Sequence, residues 1–463
     1  MSFRKERDAL GPVQVPDEVY YGASTQRAVE NFPISGLTIP LPIIHAMAMI
    51  KKHAAHVNHR LGLLPVSIKD PILAAAREIQ AGSWDDQFPV DVFQTGSGTS
   101  TNMNVNEVIA GRANELLTGK RGGKSPVHPN DHVNLGQSSN DVFPTALHIA
   151  TVLGLRGHVI PSLVLLHECL LKKSEEFREV VKIGRTHVQD AVPVTLGQEF
   201  SGYARQVQLG VQRVQAVQKH LSELPLGGTA VGTGVGAHPL FAGEVIDRIV
   251  EETGHAFLEA ENHFEAQAAR DAAVEASGAL RTLAVSLSKI AHDLRWLASG
   301  PRSGLGEIML PSLQPGSSIM PGKVNPVIPE AVIQVCAQVQ AGDLAVVLAG
   351  QGGTLELNVM MPLLGHSLLH SIHILGNAAR LFAVKCVEGI VADRKICAAN
   401  VERSLALATY LVPSLGYDRA AALAREAYER GETVREAALR SGTHSQEELK
   451  EILDEGILRS LFQ

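Results

Sequence analysis

Aromatic residues make up only 4% of this 463-residue chain. Large sheets draw on aromatic and β-branched side chains, so that shortage, beside plentiful Ala, Leu and Val, points to helices packed on helices. Cysteine is scarcer still. The four present, Cys169, Cys336, Cys386 and Cys397, include no pair at C-x-x-C spacing. Neither a zinc site nor an iron–sulfur cluster is signalled, and scattered thiols fit a reducing compartment. A basic excess is also missing. With a net charge of -7 the chain lacks the phosphate-binding surface that nucleic acid requires, although a small anion remains possible where positive groups converge. Residues 1–8 have no apolar centre, so no signal peptide is expected. No uninterrupted apolar run reaches about 18 residues, so no membrane span is expected either. From these absences a cytoplasmic protein is expected. Internal repeats and low-complexity tracts are absent as well.

What is present is a large core: 45% of residues are hydrophobic and 19% charged, a globular balance. The length suggests about three domain-sized units. Residues 1–40 are punctuated by Gly and Pro and read as irregular, followed by helical patterns over 41–62 and 67–82. Residues 94–106 are small and polar and lead into a helix near Glu107. Long helical patterns cover 146–180, the stretch ending near 222, 264–298, 327–350 and 355–390. In the third of these, Leu280, Leu283, Leu287, Ile290, Leu294 and Leu297 recur at spacings of three and four, the rhythm of a helix packed nearly parallel to its neighbours. Uninterrupted, that helix would span roughly 50 Å. So much apolar helix surface exceeds one small bundle and predicts a homo-oligomer. A shorter-helix, more charged unit begins near Asp393. The expected domains are 1–139 (loop-rich and helical), 140–393 (long-helix bundle) and 394–463 (small and helical).

Four polar loops interrupt this scaffold, at 94–106, 128–145, 182–193 and 315–326, and rigid scaffolds place their chemistry on such loops. Thr95-Gly96-Ser97-Gly98-Thr99 lacks the lysine of a nucleotide-binding P-loop but suits a turn that binds a carboxylate. Its plain alternative is a helix cap. Ser138-Ser139-Asn140 opens a long helix, where backbone donors and the helix dipole favour an anion. Gly184-Arg185-Thr186-His187 offers one histidine, of 19 in the chain, flanked by hydroxyl and guanidinium. Glu330 is a candidate carboxylate to hold its ring. Residues 300–329 hold five glycines and six prolines, a density that forbids regular helix, yet they carry Ser317, Ser318, Lys323 and Asn325.

The loop Gly316-Ser317-Ser318-Ile319-Met320-Pro321-Gly322-Lys323-Val324-Asn325-Pro326 resembles the signature of the fumarase/aspartase superfamily. Thr95 to Thr99, His128-Pro129-Asn130-Asp131, Ser138 to Asp141 and Gly184 to His187 are similar, in the same order, to the class II fumarase branch. The resemblance covers essentially the whole chain. It implies a mainly α, three-domain fumarase/aspartase-like fold whose central long-helix bundle associates into a homotetramer, with each active site shared between subunits. It also implies a fumarate hydratase that reversibly adds water, anti, to fumarate to give L-malate, without metal or other cofactor.

By the same resemblance Ser317 is the base at carbon, and His187, held by Glu330, handles the proton of water. Ser97, Gly98, Thr99, Ser138, Ser139, Asn140, Thr186, Ser318, Lys323, Val324 and Asn325 would bind the dicarboxylate. A secondary anion site would lie at His128, Pro129, Asn130 and Asp131. Some members carry a basic residue three positions before that histidine; here it is Ser125, beside Lys124, so the resemblance weakens at that site alone. Aspartate ammonia-lyase shares the fold and the serine base and is the alternative reading. Its usual pattern has glutamine at His187, threonine at Ser139 and alanine at Gly322, and this chain departs from all three.

Overall fold

The apolar patterns become helices. Leu41–Arg60, Val66–Gln80 and Val327–Gly350 lie within two residues of the ranges read from the sequence. Pro42 sits in the first turn of Leu41–Arg60, where its missing N–H has no helical partner to lose, and His59 and Arg60 face the negative end of the dipole. The computed structural model describes residues 2–462. Its strands are short and form only two-stranded sheets among these residues, and the fold is mainly α.

By proximity the chain divides into two compact units. The first comprises residues 1–160, 212–284 and 337–376. At its heart, Leu41–Arg60 packs against Val66–Gln80, Ser139–Gly154 and Phe241–Thr253. Ile43, Ile44, Met47, Ile50 and Val57 on this helix are completely buried, and each such side chain contributes roughly 1.5–3 kcal/mol of transfer free energy. An antiparallel hairpin, Phe3–Asp8 with Gly11–Pro16, and the helix Ala23–Asn31 replace part of the irregular stretch expected at the start.

The second unit comprises residues 161–211, 285–336 and 377–463. Its C-terminal part has a core of its own, in which Leu407, Leu411, Leu423, Val434, Leu449, Leu453 and Ile457 meet. The short helices there are held at their starts by reciprocal caps, Thr433 with Glu436 and Ser445 with Glu448, which satisfy donors that a short helix otherwise leaves open.

Three sequence expectations are corrected. The 94–106 segment is not mostly loop, because its helix, Thr99–Thr118, starts eight residues before Glu107. Thr and Asn are poor helix formers, but Thr101, Asn102, Asn104 and Asn106 are buried. There they hydrogen-bond to Gln94, Asn134 and the Gln87 carbonyl, and tertiary bonding outweighs propensity. The 264–298 pattern breaks into His263–Ala268 and Asp271–Leu297, with Ala269 extended. There the fully buried Gln267 donates to the Thr229 carbonyl. The leucine rhythm itself holds, and all six residues from Leu280 to Leu297 are buried. The 182–193 break is an antiparallel hairpin, Val181–Thr186 with Gln189–Thr195.

Two helices are long and apolar enough to cross a membrane by length and composition alone, Ser139–Glu176 (mean hydropathy 1.7) and Val327–Gly350 (1.6). The sequence expectation missed them because isolated polar residues interrupt both. Half of the apolar window of Ser139–Glu176 is buried within the chain, as in a core helix, against 28% for Val327–Gly350. The second helix leaves Leu344 and Leu348 exposed.

Candidate active site

In the first unit two helix starts are tied together by hydroxyls. Ser97 Oγ and Thr99 Oγ1 lie 2.8 Å apart, and Thr99 Oγ1 and Ser139 Oγ 2.6 Å. Ser138 caps Ser139–Gly154, accepting from the Asn140 N–H, while the Asp141 carboxylate accepts from the Ser138 N–H at 2.9 Å. The other Asp141 oxygen accepts from the Gly227 and Thr229 N–H groups. Asn140 is fixed by its amide donating to the Ala230 carbonyl at 2.7 Å. Ser97, Gly98, Thr99, Ser138, Ser139 and Asn140 therefore come together at the positive ends of two helices, which favour a carboxylate.

Gly98 is what lets the first helix start there. Its φ of +72° is left-handed, and a Cβ would sit 2.2 Å from the Phe143 ring. Gly98→Ala is expected to cost about 2–4 kcal/mol, from left-handed strain plus overpacking. A denaturation midpoint unchanged within error would refute this.

In the second unit, the hairpin Val181–Thr186 with Gln189–Thr195 carries Thr186 and His187 to its exposed tip. The two turn residues, His187 (φ 58°) and Val188 (φ 61°), are both left-handed. A two-residue turn between right-twisted strands demands that geometry, but it ordinarily uses Asn-Gly. A β-branched valine there is strained by about 1–3 kcal/mol, and strain of this kind gathers at functional sites. Behind the tip, Arg185 makes a paired contact with Glu307, 2.9 Å from each nitrogen to each oxygen.

The 315–326 loop is irregular, as its glycines and prolines dictate, but it is closed at its neck. The Gly316 N–H donates to the Lys323 carbonyl at 2.7 Å, and the Asn325 amide donates to the Gly316 carbonyl at 2.8 Å. Ser317 Oγ accepts from the backbone N–H groups of Ile319 (3.2 Å) and Met320 (3.0 Å). Ser317, Met320, Lys323 and Val324 line a cleft of about 450 Å³. Ser318 and Lys323 are exposed, and Ile319 is 84% exposed. Glu330 lies half-buried in the first turn of Val327–Gly350. Among the described residues no hydrogen bond within this unit joins His187 to Glu330 or to Ser317.

The remaining stretch, at 128–131, opens a π-helical turn, Pro129–Val133, that His128 caps. His128 Nδ1 accepts from the N–H groups of Asn130 and Asp131 and lies 3.4 Å from the Asp131 carboxylate. Ser125 and Lys124 nearby are exposed.

Sequence reasoning did not single out Lys51, Asp141 or Glu307. A lysine or carboxylate inside a helical or Gly-rich pattern carries no sequence mark of burial. The Ser138-to-Asp141 spacing of a capping box was the one available signal for Asp141.

Long helices bearing these small polar loops are the construction of a helical lyase, and a family model described as lyase matches residues 11–341. A second, described as fumarase C C-terminus, matches residues 407–456. A class II fumarate hydratase of Nitrosomonas europaea is 52% identical over 95% of both chains. The mitochondrial fumarate hydratase 1 of Arabidopsis thaliana is 52% identical over 96% of this chain and 91% of its own. The crystal structure of class II fumarase from Schistosoma mansoni superposes with a TM-score of 0.94 at 42% identity, covering 98% of each chain. That of fumarate lyase:delta crystallin from Brucella melitensis gives 0.95 at 47% identity over 100% of each. The chain belongs to the class II fumarate hydratases, hydro-lyases of the fumarase/aspartase superfamily.

Proposed function

We propose that this chain interconverts fumarate and L-malate with Ser317 as the base at carbon. The observation that carries the reading is the pair of backbone N–H groups aimed at Ser317 Oγ. A serine hydroxyl is a weak base until its alkoxide is stabilised, and fixed donors stabilise that charge without reorganising. In the malate-to-fumarate direction, Ser317 alkoxide takes the proton from the carbon next to one carboxylate. The electron pair moves into that carboxylate, which becomes an aci-carboxylate held by Lys323 and Asn325. The pair then returns to form the double bond as the hydroxyl on the neighbouring carbon leaves, protonated by His187 to give water. Glu330 orients the imidazole. Ser97, Gly98, Thr99, Ser138, Ser139 and Asn140 grip the other carboxylate, with Thr186, Ser318 and Val324 closing around the dianion. His128, Pro129, Asn130 and Asp131 form an outer anion site with a reduced positive field, since Ser125 supplies no charge.

The active enzyme in this reading is a homotetramer in which the Ser97–Ser139 cluster, the His187 hairpin and the Ser317 loop of different subunits meet. Two features support it: the exposed apolar residues of Val327–Gly350 and the absence of a His187–Glu330 hydrogen bond within the second unit among the described residues. We place the enzyme in the cytoplasm, in keeping with four cysteines that form no disulfide among the described residues.

The test is direct. Purified protein given L-malate should raise the ultraviolet absorbance of the fumarate double bond, and given L-aspartate should not. Fumarate from aspartate and none from malate would replace this reading with an ammonia-lyase.

A further inference from the structure

Beneath the hydroxyl cluster of the first unit lies a lysine that no step above uses. Lys51 sits in the middle of Leu41–Arg60 and is completely buried. Its Nζ donates to Asn134 Oδ1 at 2.8 Å. The same oxygen accepts from Asn106 at 3.1 Å and Asn102 at 3.2 Å, both from Thr99–Thr118. Asn134 in turn donates to the Gln137 carbonyl at 3.1 Å, immediately before the Ser138 cap. One half-buried amide thus joins Lys51 to both helix starts that form the anion site.

Asp141 is the negative group that a cation here answers. Its buried carboxylate holds Ser138, Gly227 and Thr229 by their N–H groups, so it fixes the shape of the binding loop. Burial pushes that carboxyl up, against these three donors and the attraction of Lys51. Its ionised form, one turn from the proposed carboxylate position, repels a dianionic substrate. Lys51 interacts electrostatically with Asp141 and with no other charged side chain to a comparable degree. Its hydrogen-bond partner Asn134, and the Asn102 and Asn106 amides that share the Asn134 oxygen, are neutral.

We propose that Lys51 is a positioning residue for the hydration reaction, a buried counter-charge that lets Asp141 shape the 138–140 loop without opposing the substrate's carboxylate. The proposal rests on the assignment of that loop to substrate binding. Burial pulls the Lys51 ammonium down to about 7, against the attraction of Asp141, so its charge is most fully present below neutral pH.

Initial rates with L-malate, measured below that value, test this on the full-length enzyme. Lys51→Met is expected to raise KM roughly tenfold, with a much smaller change in kcat, because the lost attraction acts on bound substrate and transition state alike. Lys51→Arg keeps the charge and should stay within about threefold of wild type. The decisive variant is Lys51→Gln, which keeps a donor for Asn134 but carries no charge, and it is expected to keep most of the rise in KM. A purely structural role, in which the hydrogen bond to Asn134 is what counts, returns Lys51→Gln to near wild type.

If Lys51→Met does not fold, Lys51→Gln is read directly against wild type. A KM raised roughly tenfold supports the counter-charge and a KM within about twofold overturns it. A folded Lys51→Met enzyme with KM within about twofold of wild type also overturns it. Wild-type protein inactive on malate would instead overturn the functional reading beneath it, so the two failures are distinct.

Discussion

Ser317→Ala should abolish turnover in both directions while leaving the protein folded. The expected loss in kcat is about 10²–10⁴-fold, the range for removing a general base. KM for malate should change little, because in the proposed mechanism Ser317 reaches the substrate through a proton that moves only in the transition state. Stability should be spared for a reason visible in the loop. Among the described residues Ser317 Oγ accepts only from Ile319 and Met320, its near neighbours, and both lie in an exposed segment where water can replace the lost acceptor. The neck bonds, from Gly316 to Lys323 and from Asn325 to Gly316, do not involve the Ser317 side chain. A surface change of this kind normally stays within about 0.5 kcal/mol. Steady-state rates, circular dichroism and size-exclusion chromatography of the variant check all three parts. Near-normal kcat in a folded, assembled variant would remove Ser317 from the base role and leave the two backbone donors as a plain turn.

What could be read from the sequence follows from which interactions are local. The leucines from 280 to 297 announced a helix face because burial repeats with the helical period, and the structure buries all of them. The irregular loop around Ser317 was equally legible, since Gly and Pro act through their own backbones. The failures were all tertiary. Nothing in Thr99 to Asn106 predicts a helix until Gln94, Gln87 and Asn134 supply partners for the buried polar side chains. The hairpin bearing His187 was hidden because its turn, His-Val, is a sequence that two-residue turns avoid. Individual site residues were found through resemblance of whole loops, whereas the charges behind those loops, Lys51 and Glu307, lie in stretches that resemble ordinary helix or linker.

Glu307→Ala should be the most destabilising single change in the second unit. Glu307 is fully buried and takes both arms of Arg185 at 2.9 Å, the Asn400 amide at 3.1 Å and Lys182 at 3.3 Å. Lys182, itself buried, also pairs with Glu199 at 2.7 Å. Removing Glu307 leaves the buried Lys182 and the partly buried Arg185 with one close carboxylate between them, since Asp190 approaches Arg185 only to 3.9 Å. Breaking a buried pair by deleting one partner costs about 3–5 kcal/mol. The damage should reach chemistry too, because Arg185 lies two residues before His187 on the strand that ends in the strained turn. A fall in kcat beyond what the loss of folded protein explains is therefore expected.

Acid gives a second reading of the same network. Burial alone would raise the Glu307 carboxyl, but the hydrogen bond from Arg185 and the charges of Lys182 and Arg185 outweigh it and hold the group below the usual carboxylate range. A depressed carboxylate stabilises the fold at every pH above its unfolded value, about 4.3. That stabilisation drains away as pH falls through the depressed native value. Wild type should consequently lose stability faster than Glu307→Ala between pH 4.3 and lower values, and the gap between them should narrow as acid is added. Denaturation midpoints at one fixed protein concentration, since the proposed assembly would contribute to stability, measure both effects. A deficit under about 1 kcal/mol at neutral pH, or a gap that stays constant into acid, would mean that the network is a solvated set of charges and that the His187 hairpin is held by its packing alone.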